Sequence, residues 1–431
     1  MRRFRFRHAL PVLLGFALLA IGPSTHASLA AGPSRAVHPA AGLSHAAGPL
    51  VAAAPVSAPD SAVRLQALLG QHAVLAADLM RSRIRGDNDF VQAANAALGQ
   101  NTDAMTTLVR QLFGTGVAGR FGPLWSEHVV ELVAYASAVA DQDEAAKAHA
   151  NQRLAEYEEQ LSQFFAGASH GRLPVRAVRQ ALDMHLHHLI SQADAYAAHD
   201  YQLADRTYRE GYEQMYDLGR TLADGLLPAG ARDALREPLW RLRSQLGRLI
   251  AEHVVLAEDV TRAAVTNTPD FDAAGRQINA NTRDLTAAMD TLFGATTARR
   301  FQQVWGFHVE QLVGYAASTA GRDETGRDRA RARLHDYEQQ LGTLLSDVTG
   351  KRMDAVKLAA AFRGHDEMLL RHADAYAARD YVTAHELAQQ TYQHGFAMAR
   401  DLADAFGATV AGRLPVGGAQ TGYGWLAAGS R

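Results

Sequence analysis

The stretch Phe121-Gly-Pro-Leu-Trp125-Ser-Glu-His128-Val-Val-Glu-Leu132-Val-Ala-Tyr135 decides how this chain reads, because it returns about 180 residues later as Phe301-Gln-Gln-Val-Trp305-Gly-Phe-His308-Val-Glu-Gln-Leu312-Val-Gly-Tyr315. In both copies Phe, Trp, His, Leu and Tyr follow at spacings of four, three, four and three, which sets all five on one face of an α-helix. A histidine therefore sits twice inside an apolar, aromatic stripe.

Working outward, the repeat extends over two units of about six helices each, 61–228 and 239–406. In the first, Leu65, Leu68, His72, Leu75 and Leu79 share a helical face, as do Asn101, Met105, Leu108 and Leu112, then Leu154, Tyr157, Leu161 and Phe164, then His185, Leu189, Gln192 and Tyr196. The second unit answers with His253, with Asn281 and Leu285, with Leu334 and Tyr337, and with His365, Leu369, His372 and Tyr376. Runs of β-branched residues, alternating segments and Asn-Gly hairpins are missing. The expected fold is all-α: two tandem homologous helical-bundle domains.

The flanks read differently. Residues 1–27 carry Arg2, Arg3, Arg5 and Arg7 ahead of an apolar run and the small-residue site Thr25-His-Ala27, the pattern of a secretory signal peptide. Residues 28–60 are an Ala, Pro and Gly spacer with too few large apolar side chains to offset chain entropy. The Gly-rich tail 411–431 is expected to be disordered; Leu414-Pro-Val-Gly-Gly-Ala-Gln-Thr-Gly422 echoes a sortase signal but lacks the apolar span and basic stop that should follow. A secreted or cell-envelope location follows, with no transmembrane span in the mature chain.

Composition narrows the chemistry. The chain has 431 residues, a formal charge of −2 and mixed acidic and basic side chains, so it has no electrostatic footprint for nucleic acid. It contains no cysteine, which excludes disulfides, thiolate metal sites and a cysteine nucleophile. No phosphate loop, Gly-x-Ser-x-Gly elbow, His-Glu-x-x-His or dinucleotide fingerprint is present, so no nucleotide and no catalytic residue is assigned and an enzyme is not the favoured reading.

Four polar side chains recur inside the apolar stripes: His72 and His253, Asn101 and Asn281, His128 and His308, His185 and His365. Brought together at a bundle axis, three neutral imidazoles would bind Cu²⁺, Zn²⁺ or Fe²⁺, for storage or sensing. Asn101, Asn281, Tyr135 and Tyr315 are expected to orient the ligands from behind. A b-type haem between His128 and His185 would need a flat cavity that nothing in the sequence specifies. The competing reading makes the chain a cell-envelope spacer or interaction module whose buried His and Asn groups form a structural hydrogen-bond network, with help from Tyr157 and Tyr337 or Tyr196 and Tyr376. Asp78 and Asp259, six residues after the first histidines, are expected to be solvated or capping, and His385 to face solvent.

The Trp-x-x-His-x-x-x-Leu-x-x-Tyr segments, with the His of the first helix, the Asn of the second and the His of the fifth, resemble secreted bacterial proteins of uncharacterised activity built from tandem helical units. Some of these are labelled copper amine oxidase-like. The resemblance covers about 61–406 and implies the helical fold and export. Copper amine oxidases proper are β-rich and make their cofactor from an Asn-Tyr pair; this chain has no Asn-Tyr, and His185-x-His187 is lost in the second unit.

Overall fold

A computed structural model describes residues 57–227 and 229–412. The expected signal peptide (1–27), most of the spacer and the tail from 413 lie outside them. Among the described residues there are thirteen helices and no strand. The first set comprises α1 (Ala58–Arg85), α2 (Asn88–Phe113), α3 (Thr115–Asp141), α4 (Glu144–Ala168), α5 (Val175–Ala197) and α6 (Tyr201–Leu226). A short α7 (Ala229–Ala234) leads to the second set: α8 (Pro238–Thr266), α9 (Phe271–Phe293), α10 (Ala295–Ala320), α11 (Glu324–Val348), α12 (Ala355–Ala377) and α13 (Tyr381–Ala411).

The helix ends obey local chemistry. Ser57 caps α1 by accepting from the Asp60 amide, so the helix begins before Ser61, inside the stretch read as spacer. Asp87, Asp143, Asp200, Asp323, Asp354 and Asp380 cap α2, α4, α6, α11, α12 and α13 in the same way. Gly86 ends α1 at φ 74°, a conformation that costs glycine little. No described helix is long and apolar enough to cross a membrane.

Within the first set α1 is central, touching α2, α3, α5 and α6; α8 holds the same place in the second, touching α9, α10, α12 and α13. The sets meet reciprocally. α1 packs on α8, α6 on α9 and α13 on α2, so the last helix of each set lies against the second helix of the other. This is the exchange expected of a pseudo-twofold contact. Cross-set ion pairs join Arg209 to Glu252 and Arg248 to Glu213, each at 2.8 Å, and the Tyr392 hydroxyl donates to the Ala67 carbonyl at 3.0 Å. One apolar core runs through both sets, and the described residues belong to a single compact unit.

Candidate metal centre

His72, His128 and His185 lie on α1, α3 and α5, three helices that are in mutual contact, so the stripe that buries each imidazole also turns it toward the other two. All three are buried, and each offers a ring nitrogen within 4.8 Å of the others. The closest approach is between the Nε2 atoms of His128 and His72, at 2.9 Å. The His185 ring centroid is 5.6 Å from that of His72 and 6.4 Å from that of His128.

The orientation of His128 is fixed from its own helix. Its Nδ1 is hydrogen-bonded to the Trp125 carbonyl, which makes Nδ1 the protonated nitrogen and leaves the Nε2 lone pair directed at His72. Tyr157, from α4, stacks on the same ring at 4.6 Å and 16°. Trp125 lies 4.7 Å from the His72 ring, and Phe121 stacks on Trp125. The pocket wall is thus aromatic and dry.

The second set repeats the arrangement on α8, α10 and α12. The Nε2 atoms of His308 and His253 are 3.1 Å apart, His308 Nδ1 bonds the Trp305 carbonyl, and Tyr337 stacks on His308 at 4.5 Å and 11°. His365 stands slightly farther off, 5.9 Å from His253 between ring centroids. Among the described residues the grouping of three nitrogens within 4.8 Å is found in the first set.

Electrostatics keep these rings neutral. Burial pushes His128 down to about 4 and His185, His308 and His365 to about 3. His72 and His253 are also held well below the ordinary value, by burial first and then by the neighbouring imidazoles. Neutral imidazole is the form that binds metal. Several ring nitrogens lack any protein partner: Nδ1 of His72 and His253, and both nitrogens of His185 and His365. A buried polar group left in that condition costs about 1–3 kcal/mol, so the trio has donor capacity that the protein alone does not use.

The neighbours differ from those read in the sequence. Asn101 donates to the Leu68 carbonyl and to Gln71 Oε1, both at 3.0 Å, and Asn281 donates to the Leu249 carbonyl at 2.9 Å and to Glu252 Oε2 at 2.8 Å. They fasten the turn before His72 and His253 to the second helix of each set and hold no imidazole. Tyr135 and Tyr315 are two turns beyond His128 and His308, where their hydroxyls donate to Asp194 and Asp374. The rings beside the imidazoles are Trp125, Tyr157 and their copies. The His72 ring lies against both His128 and His185, 4.9 Å and 5.6 Å away between centroids.

Two expectations about other residues are corrected. Asp78 and Asp259 are neither solvated nor caps: they line an internal cavity between α1 and α8, and burial pushes Asp78 up to about 6. His385 is buried, its Nδ1 donating to the Tyr381 carbonyl at 2.7 Å with its ring against Phe90. The aspartates stand on another face of α1 and α8 than the histidines, and that face is covered by the other set.

The chain matches no known family, no curated protein and no solved structure.

Proposed function

We propose that this protein binds a transition metal ion at His72, His128 and His185 and a second at His253, His308 and His365, and serves to store or sense that metal outside the cytoplasm. The observation that carries the reading is the convergence of three buried, neutral imidazoles with unused nitrogen donors at His72, His128 and His185; the second site is inferred from the matching His253, His308 and His365. A site of nitrogen donors without thiolates suits copper(II), zinc or iron. Tetrahedral ligands at about 2.0–2.1 Å stand roughly 3.4 Å from one another, so the close His72 and His128 pair would open slightly and His185 would move in. The sites are sealed by aromatic rings, which favours holding an ion over turning over a substrate. Export rests on the pattern of residues 1–27.

The competing reading is a structural lock, and the 2.9 Å His128–His72 contact favours it because it is itself a good hydrogen bond. It leaves His185 with nothing to bond. Elemental analysis of untagged protein from its native source, beside the His128→Phe/His308→Phe double variant, separates the two. About two equivalents of one metal, lost in the variant, are expected. A metal-free protein that also takes up no added Cu²⁺, Zn²⁺ or Fe²⁺ would retire the metal and leave the lock.

A further inference from the structure

Where α1 and α8 pass each other, neither set closes its own surface, and a cavity of about 70 Å³ remains between them. The repeat supplies its walls in pairs: Asp78 and Arg81 from α1, Asp259 and Arg262 from α8. The pairs are not used alike. Arg262 holds Asp259 at 2.7 Å and Asp270 at 2.5 Å. Arg81 turns away from Asp78, to Asp205 at 2.9 Å and to Gln192 Oε1 at 2.7 Å, while the rings of Tyr208 and Tyr196 flank its guanidinium. Asp78 is left without a hydrogen bond or an ion pair.

The second set adds to the imbalance. Glu258 stands where the first has Ala77, and its Oε1 is buried with no partner. His372 replaces Gln192, which bonds the Arg81 Nε and leaves its Nη2 unpartnered, and the buried Nδ1 of His372 is unpartnered too. Both line the cavity. Two carboxyls and an imidazole nitrogen therefore face a space that Arg81, Arg85 and Arg262 also line, yet none of these arginines forms an ion pair with Asp78 or Glu258, and they act on Asp78 only through their charge. Burial raises both carboxyls, and the charge of Asp78 adds to the rise of Glu258. Arg85 also lines the cavity, but its guanidinium bonds the Tyr196 hydroxyl at 3.0 Å. A purely structural core gains nothing from this arrangement, since a buried carboxyl without a bonded partner, as Glu258 is at Oε1, is costly.

We propose that the cavity between the two sets binds a small organic ammonium ion, its N–H groups donating to Asp78, Glu258 and His372 Nδ1. A bare metal ion suits the space less well. Its carboxylates do not gather as a chelating group among the described residues, and Val74, Leu75 and Val255 with the faces of Tyr208 and Tyr376 line the rest. Aromatic faces and aliphatic walls accept the body of an alkylammonium and attract its charge. The inference is independent of the histidine sites, which lie within each set.

The probe is n-propylammonium, titrated by calorimetry into the full chain, with n-propanol as a neutral match in size. Saturable binding of one equivalent is expected, weakened at least about tenfold by Asp78→Asn and by Glu258→Gln, as loss of a charge-assisted contact should do. Metal content should be unchanged in both variants. Absence of saturable binding to the wild-type chain would overturn the proposal without reference to any variant. Equal binding of n-propanol, or binding indifferent to both substitutions in folded protein, would overturn it as well.

Discussion

The Nε2 atoms of His128 and His72 lie 2.9 Å apart across two helices, and the Nε2 atoms of His308 and His253 repeat the contact at 3.1 Å. In both places the Nδ1 of the later histidine, His128 or His308, is tied to a tryptophan carbonyl one turn earlier. A carbonyl thus settles the tautomer, and the tautomer turns a lone pair toward the first helix. The geometry is assembled from α1 and α3, or α8 and α10, before the third histidine is considered.

If each set holds one ion, the sites should empty separately. His128→Phe alone is expected to halve the metal content, His308→Phe to halve it likewise, and the pair to abolish it. Elemental analysis reads the stoichiometry and circular dichroism the helix content. Loss of both equivalents in a folded single variant would show the sites to be one coupled unit.

Ligand binding to the folded state should appear as stability. Stripping the metal with a chelator is expected to lower the melting temperature and restoring it to raise it, each bound ion adding about 4 kcal/mol of stability when free metal stands a thousandfold above Kd. The His128→Phe/His308→Phe variant should show no such response. An equal response in that variant would mean that the ion binds elsewhere.

Gly219 on α6 lies directly against the backbone of α1. A Cβ there would lie 2.6 Å from the Gln66 Cα, which is backbone and cannot swing aside. Gly219→Ala should therefore destabilise the chain by about 1–3 kcal/mol, the usual cost of overpacking, despite alanine's better helix propensity. Denaturant unfolding measures it; a stabilised variant would mean that the two helices separate freely.

One pH effect can be traced to a single position of the repeat. Glu338 is paired with Arg363 at 2.9 Å, whereas its counterpart Glu158 meets Asp183 where Arg363 would be. Burial, then the charge of Asp183, pushes Glu158 up to about 7 from an ordinary 4.5. The folded state thus keeps a proton that the unfolded chain releases between those values. The associated stability is complete below about pH 4.5 and is lost as pH rises through about 7. Glu158→Gln should match the wild type at pH 4 and exceed it at pH 8 by about 1 kcal/mol, allowing for solvent screening. Asp183→Arg should bring the Glu158 titration, followed by NMR, back toward the ordinary range. A titration midpoint unmoved by Asp183→Arg would remove the charge of Asp183 as a cause.

The sequence by itself determined the helical class and the burial of six histidines, because a period of 3.6 residues fixes which side chains share a face and an apolar face must be covered. Only the tertiary structure decided what each face meets. That His72, His128 and His185 share one point depends on α1, α3 and α5 touching one another. That Tyr157 rather than Tyr135 stands beside His128 depends on where α4 crosses α3. Asp78 and Asp259 looked solvated for the same reason: their face is polar to its own set and is buried by the other. Spacing along a helix says where a side chain points, and the identity of its neighbour is set by packing between helices far apart in the chain.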